Sequence, residues 1–197
     1  MRFLILGVLA ILACGGRTHA AEPEVKPEDE KIWFSAKIPH STIVFDKRLW
    51  QEVNALPSKS EQIRFLTGLL PAKDAPEKTF TARECSAFYL LGMTGSPAVS
   101  STLIDRLEFN GEKDAHPALL ALKLLGEPAV EPLVQSLQSG SKGRINLAIL
   151  ALQEIKGKQK FESFATEIAK RQDLKLSEST LDMLLAIAAW DRVIYEG

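Results

Sequence analysis

Few side chains in this sequence are suited to act on a substrate. Its three histidines are His19, His40 and His116, and its two cysteines are Cys14 and Cys85. The patterns His-x-x-x-His, Cys-x-x-Cys and His-Glu-x-x-His do not occur, so a zinc or nucleophilic site has no material to build on. His40 follows Pro39 in an expected loop, and His116 stands before Pro117, where it opens a helix rather than serving as a base. Cys85 lies among Ala87, Phe88, Leu90 and Leu91, which marks it as a buried small hydrophobe and not a reactive thiol.

The carboxylates do not pair as a general acid and base would. Glu28-Asp29-Glu30 is a solvated charge run. Glu108, Glu112 and Asp114 surround Asn110-Gly111; a calcium loop needs more oxygen ligands at alternate positions, so these form a polar loop. Gly92-x-x-Gly95 lacks the preceding strand of a phosphate-cradling loop and reads as a helix–helix turn. The residues therefore predict no catalytic group, no cofactor and no metal.

Charge excludes a further class. The chain has 24 basic and 25 acidic residues, which gives no electrostatic footprint for nucleic acid. Lys156, Lys158, Lys160, Lys170, Arg171 and Lys175 make the C-terminal third locally positive. We read them as a solvated face, with an anionic partner or membrane surface as the sharper alternative.

The elements that carry these residues begin with an export signal, residues 1–20. Met1-Arg2 is a positive start, Phe3 to Ala13 an apolar run, and Thr18-His19-Ala20 a small-x-small cleavage site before Ala21. The run is shorter than the roughly 20 apolar residues a bilayer span needs, and no later run is long enough for one. A second export reading competes: Ile11-Leu12-Ala13-Cys14 resembles a lipoprotein signal, with Cys14 as the lipidated residue. Without Cys14, Cys85 has no partner for an internal disulfide. Residues 21–31, rich in Pro and charge, read as a disordered leader.

Residues 32–80 read as an N-terminal extension with capping helices. Ile32-Trp33-Phe34 and Thr42-Ile43-Val44-Phe45 are short apolar clusters expected to lie over the first helices, or else to form an exposed aromatic ligand patch. From Asp46 the apolar period becomes helical. Asp46 caps a helix over 47–56, with Leu49, Trp50, Val53 and Leu56 on one face, and Pro57 ends it. Ser58-x-x-Glu61 and Thr81-x-x-Glu84 are capping boxes that open two more helices.

Residues 81–197 carry an internal repeat. Leu90-Leu91-Gly92 leads to Ser96-Pro97-Ala98-Val99, and Leu124-Leu125-Gly126 leads to Glu127-Pro128-Ala129-Val130. Each phrase precedes an apolar helix, with Leu103, Ile104 and Leu107 in the first and Leu133, Val134 and Leu137 in the second. Gly92 and Gly95 are expected to make the first turn, and Gly126 the second. A third unit follows about thirty residues on, with Ala151-Leu152, Ile155, the stop Gly157, and Phe161, Phe164, Ala165 and Ile168. Leu181, Leu184, Leu185, Ile187, Ala188 and Val193 mark a closing helix whose outer face, with Asp182, Asp191, Arg192 and Glu196, should be polar. Trp50 and Trp190 read as core or cap residues.

These units resemble HEAT-like repeats, in particular the short variety named after phycobilisome lyases. Ala87-Phe-Tyr-Leu-Leu-Gly92 and Ala121-Leu-Lys-Leu-Leu-Gly126 are similar to the first half of that family's unit. The two Pro-Ala-Val helices are similar to its second half. The family's first-helix arginine stands only at Arg83 and Arg144. The resemblance covers about residues 81–170. It implies an all-α fold, a right-handed α-α superhelix of three to four helix pairs with an irregular N-terminal extension.

The function this predicts is non-enzymatic: an exported interaction module or scaffold that binds a protein partner on a curved surface. Ser100, Asp105, Arg106, Glu131, Gln135 and Gln138 are the expected contacts, because they are polar residues set between apolar ones on the second helices. A lipid-anchored envelope assembly factor is the alternative. A lyase-like accessory enzyme, which only the family name suggests, lacks a site to argue from.

Overall fold

A computed structural model gives the chain at residues 46–72, 80–107 and 116–195, with side chains to residue 189. The described residues are all-α, with nine α-helices and no strand among them. They are α1 (Lys47–Ala55), α2 (Lys59–Gly68), α3 (Ala82–Met93), α4 (Ser100–Ile104), α5 (Pro117–Leu125), α6 (Val130–Ser136), α7 (Lys142–Lys156), α8 (Lys158–Ala169) and α9 (Glu178–Tyr195). The export signal with Cys14, the leader, the extension before Asp46 with His40, and loops 73–79 and 108–115 lie outside the described residues. No described helix is long and apolar enough to cross a membrane.

The helices start where side chains can satisfy the free N–H groups of a first turn. The Asp46 carboxylate accepts from Arg48 N and Leu49 N to open α1. Thr81 and Glu84 make the full reciprocal box at α3: Thr81 Oγ1 accepts from Glu84 N at 3.2 Å, and Glu84 Oε2 accepts from Thr81 N at 2.7 Å. Ser58 caps α2 through Glu61 N, while the Glu61 carboxylate lies 4.0 Å from Arg64. Ser141 caps α7, and Lys142 and Gly143 lie in its first turn. His116 is the N-cap residue of α5; its ring is buried and meets Phe80 edge-on at 5.8 Å.

α3 is the most enclosed of the described helices. Ser86 to Gly92 is a continuous buried stretch, so this helix is covered all round. α1 and α2 pack on it from one side, and α5 shares a broad contact on another. α5 then packs on α7, and α7 on α9, while α4 meets α5 and α6, α6 meets α7, and α8 joins α7 and α9. One contiguous core results. It runs from Leu49 and Val53 through Phe88, Leu103, Leu122, Leu133 and Leu152 to Phe161 and Leu184. Burying each such side chain contributes about 1.5–3 kcal/mol relative to leaving it exposed.

Three sequence expectations are corrected. Gly92 does not make a turn: α3 continues through it to Met93, and the chain turns at Gly95, whose φ is +62°. Gly126 and Gly157, at φ +71° and +77°, do end α5 and α7 as expected, in a region that favours glycine.

The second correction concerns register. The Pro-Ala-Val phrases are 31 residues apart, but the 3₁₀ turns that open the second helices are Pro97–Val99 and Glu127–Ala129, thirty apart. Val99 therefore corresponds to Ala129, and Ser100 to Val130. The burial pattern of 101–107 repeats in 131–137 at this offset at every position but one, Asp105 being half-buried and Gln135 exposed, with Leu103, Ile104 and Leu107 matching Leu133, Val134 and Leu137.

The third lies in α9. Thr180, Leu184 and Ala188 are buried and Leu181 and Ile187 half-buried, but Leu185 is 43% exposed. Asp182 is exposed as expected, with Leu185, Ala186 and Ala189 exposed beside it; the side chains of Asp191, Arg192 and Glu196 lie outside the described residues.

Candidate functional site

The expected partner contacts divide into one buried residue and five that lie along a polar edge. Ser100 is 1% exposed. Its hydroxyl lies 3.4 Å from the Pro128 carbonyl oxygen and donates to it. The thirty-residue register explains this, since Ser100 occupies the place of Val130. Ser100 is therefore withdrawn as a surface contact, and the exposed counterpart of Glu131 is Ser101.

The other five engage one another or tie separate parts of the chain. Asp105, the C-cap residue of α4, accepts from Arg144 Nη2 of α7 at 3.0 Å. Arg106 reaches the other way: its Nε donates to the carbonyl of Pro71, beyond α2, at 2.8 Å. Glu131 of α6 receives both terminal nitrogens of Arg171, at 2.8 and 2.9 Å, from the segment between α8 and α9. Gln135 Nε2 donates to Glu131 at 2.8 Å, and Gln138 Nε2 to Gln135 Oε1 at 2.7 Å. Gln138 Oε1 then accepts from the backbone N–H of Lys175 at 3.1 Å.

Arg171 is the hub of this edge. Besides Glu131 it bonds Asp173, Nε to Oδ1 at 3.1 Å and Nη2 to Oδ2 at 2.6 Å. Two planar carboxylates thus share one guanidinium fork, the geometry for which arginine is suited. The bonds from Arg171 and then Gln135 hold the Glu131 carboxyl below its ordinary range, and the Arg171 bond does the same for Asp173. The paired carboxylates hold Arg171 the more firmly protonated. Sequence reasoning passed over Arg171 and Asp173 as contacts; a glutamate and an arginine forty residues apart carry no local spacing signal.

Arg83 and Arg144, the two first-helix arginines, both tie distant parts of the chain together. Arg83 bonds Asp46 at 3.4 Å and also Glu52 of α1. Burial would raise the Asp46 carboxyl, but the N–H groups of Leu49 and Arg48, with Arg83, bring it below its usual range. Lys123 pairs with Glu154, joining α5 to α7, and Lys156 pairs with Glu127 while lying 4.8 Å over the Phe164 ring. In the basic C-terminal third, Lys156 and Arg171 are thus neutralised locally, and Lys160, Lys170 and Lys175 are exposed.

The remaining chemistry-bearing groups are not assembled. Cys85 is half-buried rather than core; burial, with the Glu84 charge, pushes its thiol up and disfavours the thiolate. Tyr89 is likewise raised by burial. Among the described residues no group of three His, Cys, Asp or Glu side chains is placed to hold a metal ion. The arrangement offers hydrogen bonding from a fixed polar edge. Against models of known protein families, curated proteins and solved structures, the chain gives no match.

Proposed function

We propose that this chain is an exported, non-catalytic protein-interaction module. Its helix pairs form a short right-handed α-α superhelix of the HEAT-like kind, and a protein partner binds along the polar edge of the second helices. The export signal read in residues 1–20 supports action outside the cytoplasm.

One observation carries the binding reading. The thirty-residue register sets Ser101 with Glu131, and Asp105 with Gln135, at equivalent places in successive units. Their neighbours are held by bonds to α7 and to the α8–α9 segment. A surface ordered before binding loses less side-chain freedom when a partner docks, and so binds more tightly for the same contact area. Glu131, Gln135 and Gln138 present acceptors and amides in a fixed row, which suits a polar segment of another protein.

Affinity capture from the native envelope tests this with the double variant Ser101→Arg, Gln135→Arg. Both positions lie on the polar edge away from the core, so the melting temperature should not change. The reading expects the partner captured by the wild type to be lost from the variant. Equal recovery by both proteins overturns it.

A further inference from the structure

We infer that the outer groove between α3 and α5 is the docking site for a segment of this same chain, residues 42–45, which run directly into Asp46. The groove belongs to the first helices and leaves the polar edge of the second helices free. Failure of this inference would therefore leave the partner-binding reading standing.

The end of the segment is fixed in place. The backbone N–H of Asp46 donates to Ser86 Oγ of α3 at 2.8 Å. Ser86, Tyr89 and Met93, at spacings of three and four, form one stripe of that helix. Tyr89 is also three residues from Gly92, which lies against Ala121 of α5, so the stripe borders the α3–α5 contact. Ser86 is 0% and Tyr89 7% exposed. The matching positions of α5, Leu120 and Lys123, are half-buried and exposed. The side of α3 that receives Asp46 is covered, and the same side of α5 is open.

The next gap shows what this groove lacks. Ala87 to Gly92 matches Ala121 to Gly126, and Ala121-Leu122 matches Ala151-Leu152. Tyr89 and Leu124 thus take the places, for α3 and α5, that Lys123 and Glu154 take for α5 and α7. Lys123 bonds Glu154 and closes the second gap with a polar tie. Leu124 can make no such tie. It is 37% exposed, one of only two large apolar side chains exposed among the described residues. Leu120, one turn before it, and Met93 are half-buried. An apolar gap of this kind suits an uncharged, apolar cover.

Composition and reach select residues 42–45. Thr42-Ile43-Val44-Phe45 holds no charge and three apolar side chains. Four extended residues reach about 13 Å, and packed helices lie about 8–10 Å apart, so a segment held at Ser86 can cross to α5. Because it is already joined to the fold at Asp46, it docks at the high effective concentration of a short link. A separate chain of the same composition has no such advantage.

Photo-crosslinking within the purified protein tests the inference. A benzophenone-bearing residue replaces Leu124 in an equimolar mixture of unlabelled and 15N-labelled protein, and crosslinked peptides are identified by mass spectrometry. The expected product joins position 124 to the peptide holding residues 42–45, with the same isotope in both halves. The same replacement at Leu185 of α9, which is comparably exposed, should give less than about a tenth of that product. Ile43→Asp with Phe45→Asp should lower the yield from position 124 about tenfold or more, because the charges would enter an uncharged groove. A product of mixed isotopes would put a second copy in the groove and overturn the inference. Absence of the 42–45 product would leave the groove to another protein and also overturn it. So would an equal yield from position 185, or a yield indifferent to the two aspartates.

Discussion

Gly92 of α3 lies so close to α5 that a Cβ atom placed on it would come within 2.4 Å of the Ala121 carbonyl oxygen and 2.8 Å of its Cα. The obstructing atoms are backbone and cannot swing aside, so the absence of a side chain at Gly92 sets how near α3 and α5 approach. Gly92→Ala gains helix propensity of up to about 1 kcal/mol, but the clash should cost more, as overpacking costs about 1–3 kcal/mol. A net loss of stability in urea unfolding is expected. Gly68, at the end of α2 with nothing within 4 Å, is the control: Gly68→Ala should leave stability unchanged or raise it by up to about 1 kcal/mol.

Ser100 and Ser101 are adjacent and of the same type, yet only Ser100 is enclosed. Ser100→Glu places an unpaired charge where Val130 sits in the next unit, and should cost about 3 kcal/mol or more. Ser101→Glu recreates on α4 what Glu131 is on α6 and should change stability by less than about 0.5 kcal/mol. Urea midpoints of the two variants measure the register directly.

This pair also shows what the sequence could and could not convey. Caps are local chemistry, so Asp46, Thr81 with Glu84, and the stops at Gly126 and Gly157 were legible from a few neighbouring residues. The apolar pattern of Leu103, Ile104 and Leu107 against Leu133, Val134 and Leu137 was legible for the same reason. The Pro-Ala-Val phrase misled by one residue. Proline is tolerated at either of the first two positions of a helical turn, where its missing N–H would have no partner. Pro97 takes the first and Pro128 the second. Gly92 was misread because its role depends on α5, thirty residues away. The bonds that tie Arg106 to Pro71, Asp105 to Arg144 and Glu131 to Arg171 run between residues 35 to 40 apart and have no sequence signature.

Arg171 should make stability depend on acid. The Glu131 and Asp173 carboxyls are lowered in the folded chain. Their contribution is therefore present above their unfolded values and is lost as pH falls through the folded ones. Between about pH 5 and pH 2 the melting temperature of the wild type should fall further than that of Arg171→Gln, which has no such pairs to lose. High salt should narrow the difference, because these groups are exposed and screened. Parallel falls in the two proteins would show that the fork contributes nothing.

The tie between α4 and α7 should be measurable as a coupling. The Arg144 side chain is 17% exposed and Asp105 45%, whereas Lys123 and Glu154 are 49% and 36% exposed. A double-mutant cycle on Asp105 and Arg144 should give about 0.5–1 kcal/mol, and one on Lys123 and Glu154 less. Thermal or urea unfolding of the single and double alanine variants supplies both values.

The central claim is that a partner reads the polar edge of the second helices. Site-specific photo-crosslinking in the native envelope addresses it most directly, with the photoreactive residue placed at Ser101, at Gln135, or at Lys123 on the first-helix side. The account predicts the same crosslinked partner from positions 101 and 135, and none from position 123. A partner captured from position 123 and absent from the other two would contradict it.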